Sequence, residues 1–195
     1  MFGQRYAYDF VGIDPGSRQT RFYRPSPLGY LLLGVSLKDW FGWGQPIFSS
    51  TDGIVVQAED HWPEREPVHP IRDTAIRFKN ARTFANNPSG DLRPLTGNYI
   101  IIESSDGYVV YAHAQTGSIK VSTGEKVASG QHLANVGHSG NSTAPHLHFH
   151  LMDHPDARKA QGIPCCFRDY EVFHEGSWRL VQNGIPKDTD RIRKL

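Results

Sequence analysis

Three histidines alternate with three apolar residues in the run His-Leu-His-Phe-His-Leu, which begins at position 146. Successive side chains of a β-strand point to opposite faces, so residues two apart share a face and lie about 7 Å apart along the chain. The spacing therefore predicts a strand over 146–152. It places His146, His148 and His150 on one face and the apolar side chains on the other face, against a core.

Short strands and frequent turns are predicted along most of the chain, which holds 19 glycines and 13 prolines among 195 residues. That composition is typical of a globular β protein, and the length predicts one domain. We expect an antiparallel all-β fold, sandwich-like or barrel-like. The predicted strands are an opening strand at 4–11, a hairpin of 46–48 with 53–58, a second hairpin of 98–103 with 108–114, and short strands within 121–136.

Two segments elaborate this β domain, which is expected to span residues 1–152. Residues 59–97 carry five prolines and mixed charge. They are predicted to be a long surface insertion with a short helix near 71–81, lining one side of a binding groove. Residues 153–195 are predicted to be an irregular C-terminal extension. The aromatic residues expected to pack it on the domain are Phe167, Tyr170, Phe173 and Trp178.

Composition and patterning exclude several classes of protein. The 21 basic and 20 acidic side chains are mixed without long runs of one sign, which argues against nucleic-acid binding driven by charge. The longest apolar stretch, 30–35, is far shorter than the roughly 20 residues that span a bilayer. Charged residues within the first 25 positions leave no core for a signal peptide. The adjacent Cys165 and Cys166 offer no disulfide framework.

The ten histidines, against seven lysines, point to metal or acid–base chemistry, because imidazole is the commonest metal ligand and titrates near neutral pH. His146 and His148 are the first candidates, since two imidazoles on one strand face can address a metal and the water or substrate beside it. His150 is a weaker candidate. On the later strand of the second hairpin, His113 is expected to share a face with Tyr111.

Asp9 is a further candidate because it lies among the aromatic residues Tyr6, Tyr8 and Phe10. Burying a carboxylate in such surroundings is costly unless it meets a cation, a metal or several hydrogen-bond donors. Asp14 is followed by proline and glycine, so it is more simply explained as a turn residue.

Four segments resemble those of the lysostaphin-type zinc metallopeptidases and occur in the same order as in that family. They are the strand with Asp9, the strand YAH ending at His113, the glycine-punctuated VSTGEKVASGQHLANVG, and GNSTAPHLHFHL. The resemblance implies that Asp9 and His148 bind Zn²⁺ and that His113 and His146 form the catalytic pair. The family's third ligand is a histidine four residues before the aspartate, a position that Arg5 occupies here.

The same resemblance implies a zinc-dependent endopeptidase that hydrolyses peptide bonds in bacterial cell-wall peptidoglycan. The metal would acidify a water and polarise the scissile carbonyl, while one catalytic histidine takes the proton and the other steadies the oxyanion. We expect a monomer that binds peptidoglycan peptides and no nucleic acid. The expected location is outside the cytoplasm, in the periplasm or the cell wall.

An upstream extension of the polypeptide is also expected. The chain carries no export signal, and Arg5 cannot bind zinc. A start position assigned too late would explain both features, with a histidine supplied just before Phe2.

Three other interpretations stay open. A catalytically degenerate member of the family would bind the cell wall or activate another hydrolase, which Arg5 favours and the retention of the four other site residues disfavours. A phosphocarrier domain would use paired histidines on a similar β fold but needs no carboxylate ligand. A non-haem iron site combines two histidines with a carboxylate, and usually places the carboxylate two residues after the first histidine, where this chain has His148.

Overall fold

A computed structural model describes residues 3–17, 19–86 and 90–194, so the histidine expected before Phe2 lies outside the described residues. The strands are β1 (Tyr8–Val11), β2 (Pro46–Phe48), β3 (Gly53–Glu59), β4 (Asn98–Ser104), β5 (Gly107–Ala114), β6 (Lys126–Val127), β7 (His132–Asn135), β8 (His146–Met152), β9 (Gly162–Ile163), β10 (Phe167–His174), β11 (Ser177–Gly184) and β12 (Ile192–Arg193). The α-helices are α1 (Pro27–Leu33), α2 (Pro70–Asn86) and α3 (Arg93–Thr96), and short 3-10 helices cover Gln4–Tyr6 and Leu37–Asp39.

The central sheet has the strand order β1-β8-β5-β4-β3-β6, with β9 also paired to β8. All of its described pairings are antiparallel, which confirms the predicted fold class. The sheet is open, with β1 and β6 at its two edges, and does not close into a barrel. Separate small sheets are formed by β2 with β7 and by β11, β10 and β12.

The main hydrophobic core lies under one face of the central sheet. Phe149 and Leu151 are buried in it together with Tyr111, and Leu147 packs against it. The alternation predicted for 146–152 is therefore confirmed, since the apolar side chains of β8 face this core. The second hairpin is also confirmed, because β4 pairs with β5 through the turn at 105–106.

The hairpin predicted from 46–48 and 53–58 is wrong, although both strands exist. β2 pairs with β7, whereas β3 pairs with β4 and β6. The connection between β2 and β3 is hydrogen-bonded to other parts of the fold. The Ser50 amide donates to the Tyr111 hydroxyl over 2.8 Å, and the Ser49 amide donates to the carbonyl of Gln131 over 2.9 Å. These bonds separate the two strands, so each finds a partner far away in sequence.

The insertion contains the predicted helix, which extends beyond 71–81 to the full length of α2. Its inner face is tied to the loop that precedes β8. The Arg65 guanidinium donates to Asp73 Oδ1 over 3.0 Å, to the Gly140 carbonyl over 2.7 Å and to the Ser142 carbonyl over 2.5 Å. His138, fully buried, places Nε2 3.1 Å from Asp73 Oδ2.

The carboxylate of Asp73 is the centre of this buried network. Burial raises its pKa, but hydrogen bonds from His138, Arg72 and the His69 amide outweigh burial and hold the pKa below its ordinary value. Burial also lowers the pKa of His138, against the opposing effect of Asp73. Asp73 is therefore ionised, and its negative charge is balanced by its hydrogen-bonded partners. Its contact with His138 connects α2 to the loop 137–145.

The C-terminal extension is more regular than expected, since much of it forms the sheet β11-β10-β12. Phe167 packs on the domain as predicted, with its ring 5.1 Å from Tyr8 and 5.6 Å from Phe10. Phe173 and Trp178 instead contact each other across the β10–β11 pair, with ring centroids 5.2 Å apart. Neither cysteine is in a disulfide.

Replacing Asp73 with asparagine should lower the free energy of unfolding at neutral pH by about 3–5 kcal/mol, because it leaves the largely buried guanidinium of Arg65 without its counter-charge. A lowered folded-state pKa stabilises the fold above the unfolded value of about 3.9 and loses that effect as pH falls through the folded pKa. The difference between wild type and Asp73→Asn should therefore be largest at pH 5–7 and shrink below pH about 4.

Urea unfolding followed by circular dichroism at several pH values measures this difference. Asp106→Asn is the matched control, because Asp106 is exposed in the β4–β5 turn, and it should change stability by less than about 0.5 kcal/mol. Equal effects of the two substitutions would contradict the assignment of Asp73 as a buried anchor.

Candidate metal centre

The antiparallel register of β1 and β8 places Asp9 directly opposite His148. Asp9 Oδ1 lies 2.8 Å from His148 Nδ1 and 3.5 Å from His146 Nε2. The ligand atoms of these three residues all lie within 4.8 Å of one another. The two imidazoles are largely buried, whereas the Asp9 side chain is 60% exposed, so the cluster opens to solvent on the Asp9 side.

His113 reaches the same cluster through a β-bulge at the end of β5. Tyr111 pairs with Phe149 and Ala112 pairs with His148, so regular alternation would direct His113 to the core face with Tyr111. The register of β4 and β5 shifts between Asn98 and Tyr99, and His113 has φ of 62°. The prediction that His113 and Tyr111 share a face is therefore wrong, because the bulge turns the imidazole to the opposite face.

The ring of His113 consequently lies among the strand histidines. Its centroid is 4.8 Å from that of His146 and 5.9 Å from that of His148. A non-glycine residue in the left-handed region costs backbone energy, and such residues concentrate at functional sites. The four side chains singled out from the sequence, Asp9, His113, His146 and His148, are thus brought together by three strands.

The hydrogen bonds of two rings determine which nitrogen carries the proton. His113 Nδ1 lies 2.9 Å from the Ser139 carbonyl, and His146 Nδ1 lies 2.6 Å from the Ala144 carbonyl. A carbonyl oxygen only accepts, so both rings donate from Nδ1. In the neutral form each ring therefore has an unprotonated Nε2, which for His146 faces Asp9.

His148 and His150 form a second linked pair on the same face of β8. His148 Nε2 lies 3.1 Å from His150 Nδ1. His150 is buried, and its own Nε2 has no hydrogen-bond partner. Burial, with a smaller effect of His148, lowers the pKa of His150 to about 3. A neutral His150 can either donate to or accept from His148 through Nδ1, so it can serve both tautomers of His148.

Electrostatics favour an ionised Asp9 carboxylate beside a neutral His113 ring. Burial raises the pKa of Asp9, but its interactions with His146 and His148 outweigh burial and hold the pKa well below its ordinary value. The pKa of His113 is lowered well below 6.5, first by burial and then by repulsion from His146 and His148. The ring of His113 is therefore neutral at physiological pH.

These donor atoms fit a zinc ion. Zinc binds carboxylate oxygen and imidazole nitrogen. In its neutral form, His146 turns an unprotonated Nε2 towards an oxygen of Asp9, so two lone pairs oppose each other, and a cation between such groups removes that repulsion. Asp9, His146 and His148 are the residues that could hold the ion. His113 borders them.

Arg5 and Asp14 lie apart from this cluster. The Arg5 guanidinium stacks over the ring of Tyr6, 5.6 Å from its centroid. Asp14 accepts a hydrogen bond from the Gly16 amide over 2.9 Å, as expected for a turn residue. Neither contributes a ligand atom to the cluster formed by the described residues.

The loop 137–145 contributes residues whose roles were missed in the sequence. The Ser139 hydroxyl accepts from the Asn98 amide over 3.0 Å and donates to the Ala114 carbonyl over 2.9 Å, which fixes the carbonyl that orients His113. Ser142 Oγ lies 3.1 Å from His138 Nδ1 and 3.3 Å from His146 Nδ1. The density of serines just before His146 was the available signal, but their partners are distant in sequence.

A groove of about 1130 Å³ runs along β1 beside the cluster, and Asp9 lies in its wall. One side is formed by residues 6–13 and the other by the C-terminal segment 185–194. β1 is an edge strand of the central sheet, so its outer edge faces this groove. Among the described residues that line it, none belongs to the insertion 59–97.

Comparisons with known proteins identify a family for this chain. Residues 39–160 match the model of Peptidase family M23. The peptidoglycan DD-endopeptidase ShyA of Vibrio cholerae is 28% identical over 110 residues, which cover 56% of this chain and 18% of ShyA. ShyC of the same organism is 40% identical over 57 residues, 29% of this chain and 13% of ShyC. The matches therefore span less than a fifth of either relative.

The catalytic domain of lysostaphin from Staphylococcus simulans aligns with a TM-score of 0.41 and 20% sequence identity, covering 83% of this chain and 90% of that domain. His113, His146 and His148 lie inside the range matched by the family model, and Asp9 lies before it. Because that match covers more than half of the chain, the protein belongs to Peptidase family M23.

Proposed function

We propose that this protein is a zinc-dependent endopeptidase that hydrolyses peptide bonds in bacterial peptidoglycan. Asp9 and His148 are the proposed zinc ligands, and His113 and His146 are the proposed catalytic pair. The observation that carries the proposal is the convergence of an ionised carboxylate with imidazoles whose protons are held on Nδ1. In its neutral form each catalytic ring then has an unprotonated Nε2, and the two ring centroids lie 4.8 Å apart.

Zinc, when bound, would supply Lewis acidity, activating a water and polarising the scissile carbonyl. The chain's own residues supply the proton chemistry. An unprotonated Nε2 on His113 or His146 can accept the proton of the attacking water, and the protonated ring can later donate it to the leaving amine. The partner ring, once it has also taken a proton from solvent on Nε2, can donate a hydrogen bond to the developing oxyanion. Fixed Nδ1–H bonds to main-chain carbonyls hold both rings in place for these steps.

The groove along β1 is the proposed binding site of the substrate peptide. An extended peptide can add to an exposed sheet edge through main-chain hydrogen bonds, and β1 carries Asp9 at the middle of such an edge. A peptide bound there would pass the metal centre. The relatives ShyA and ShyC are peptidoglycan DD-endopeptidases, which supports peptidoglycan peptides as the substrate class and an extracytoplasmic location.

The degenerate alternative has less support. Arg5 stands at the position expected for a ligand. The other site residues nevertheless keep their contacts: His148 contacts Asp9, and hydrogen bonds to main-chain carbonyls set the tautomers of His113 and His146. A fold that had lost catalysis would have no need for the strained bulge that brings His113 to the cluster. We therefore infer a catalytic role for this site, with the ligand set tested below.

The tautomers of the histidines provide a test that does not depend on activity. At neutral pH, His113 and His146 should carry their protons on Nδ1, which is the minor tautomer of a free histidine side chain, because each donates to a carbonyl. Long-range ¹H–¹⁵N correlation spectra distinguish the two tautomers. Addition of zinc should move the His148 proton to Nε2, while the exposed His154 should keep its spectrum. Protons on Nε2 of His113 and His146 would contradict the assigned geometry.

Single alanine substitutions should separate metal binding from catalysis. His148→Ala should lose stoichiometric zinc, whereas His113→Ala and His146→Ala should retain zinc and lose about 10²- to 10⁴-fold in peptidoglycan hydrolysis. Elemental analysis measures the metal, and release of peptide ends from purified peptidoglycan measures turnover. His154→Ala is the control and should resemble wild type.

Each contrary outcome of that experiment identifies a specific error. One zinc per chain in His148→Ala would show that His148 is not a ligand. Loss of zinc in His146→Ala would make His146 a ligand instead of a catalytic base. A zinc-loaded wild-type protein without hydrolysis would establish the degenerate interpretation.

His150 should tune zinc affinity through His148. The second ring nitrogen of a metal-binding histidine is normally hydrogen-bonded, and removing that partner costs about 10- to 100-fold in affinity. His150→Leu should show a loss of this size in a competition assay with a fluorescent chelator. His150→Gln keeps an acceptor and should restore part of it, and His154→Leu should change nothing. Wild-type affinity in His150→Leu would show that the His148–His150 contact is incidental.

A further inference from the structure

Helix α1 presents an unusual amount of apolar surface to solvent. Its four leucines, Leu28, Leu31, Leu32 and Leu33, are between 50% and 78% exposed. Tyr30 is the side chain that packs inward, with its ring 4.9 Å from Tyr23 and 5.7 Å from Trp40. The helix is therefore anchored to the domain by an aromatic cluster, and none of its leucines belongs to a hydrophobic core cluster of the described residues.

The outer face of α2 continues this surface. Ile71 and Phe78 are 66% and 72% exposed, and a separation of seven residues places them on one face of the helix. The two helices are neighbours, because the chain after α1 is bonded to the chain before α2. The amides of Val35 and Val68 each donate to the other's carbonyl over 2.8 Å.

Positive charge surrounds these apolar side chains. The sequence from 15 to 38 contains no aspartate or glutamate, and α2 contains a single one, Asp73, which is fully buried. Among the described residues, the exposed cations of the two segments are Arg21, Arg24 and Lys38, and Arg77, Lys79 and Arg82. Two nearby acids offset part of this charge: Glu66, which accepts from the Ser36 hydroxyl, and Asp39, which lies 3.6 Å from Arg24. The six cations outnumber these two acids.

We propose that α1 and the outer face of α2 dock this protein on the surface of an anionic lipid bilayer. Short helices that combine leucine and phenylalanine with lysine and arginine bury their apolar side chains at the boundary between headgroups and acyl chains. Anionic headgroups attract the surrounding cations. None of the described helices is long and apolar enough to cross a membrane.

Charge favours a bilayer over a second copy of the chain. A symmetric dimer through this face would bring the same cations together, which is unfavourable. A soluble anionic polymer would satisfy the cations but leave the leucines in water. A bilayer surface offers both negative headgroups and an apolar layer beneath them, so it matches both properties of the face.

Co-sedimentation of the 195-residue protein with vesicles tests the proposal. Vesicles of equal parts phosphatidylglycerol and phosphatidylcholine should bind the protein about tenfold or more tightly than phosphatidylcholine alone, and added salt should weaken the binding. Leu31→Ser with Leu32→Ser should reduce binding at least about tenfold, since two buried leucines are lost. The matched control is Leu180→Ser with Ile185→Ser, two exposed apolar residues outside this face, which should bind as wild type.

A charge variant gives an independent test that leaves the leucines intact. Arg77→Glu with Lys79→Glu should abolish the preference for phosphatidylglycerol, whereas Lys126→Glu with Lys159→Glu should keep it. Equal binding to both vesicle types by the wild type, or unchanged binding by both face variants, would overturn the proposal. So would a dimer in sedimentation equilibrium that Leu31→Ser with Leu32→Ser dissociates, because the face would then be an interface between copies. Thermal unfolding of each variant checks that it is folded.

Discussion

The pairing of β8 between β1 and β5 is the constraint on which the site depends. Its register places Asp9 opposite His148 on one side and Ala112 opposite His148 on the other. A shift by one residue would send the histidines into the core and the apolar side chains into the site. Burial of Phe149 and Leu151 in the core therefore does more than stabilise the fold, since it also fixes the side of the sheet on which the imidazoles meet the carboxylate.

The bulge at His113 shows where sequence patterning fails. Strict alternation predicts that His113 and Tyr111 lie on the same face of the sheet. The positive φ of His113 directs its side chain to the opposite face, where the site lies. Nothing in the local residue types indicates the bulge, because it arises from the mismatch between β4 and β5 at Asn98. The side chain of Asn98 contributes to that mismatch by donating to the carbonyls of Ala114 and Trp62 over 3.0 Å each. Such a network is assembled only in the folded chain.

Features of the structure that depend on neighbouring residues were predicted better than features that depend on residues distant in sequence. The alternation at 146–152, the hairpin of β4 and β5 and the existence of α2 follow from periodicity and turns within a few residues. The pairing of β2 with β7 and the burial of Asp73 could not be predicted in this way, because their partners are some 65 to 90 residues distant. The grouping of Asp9 with the three histidines was expected from family resemblance, whereas the hydrogen bonds that set their tautomers required the structure.

Helix α2 connects the candidate metal centre to the proposed lipid-binding face. Its inner face carries Asp73, whose bonds to Arg65 and His138 brace the loop that leads into His146. Its outer face carries Ile71 and Phe78 beside α1. Buried ion pairs resist separation, because breaking them leaves an uncompensated charge. These bonds hold α2 in a fixed position on the domain, so that contact of its outer face with a bilayer would hold the histidines of the candidate site at a constant distance and angle from the membrane.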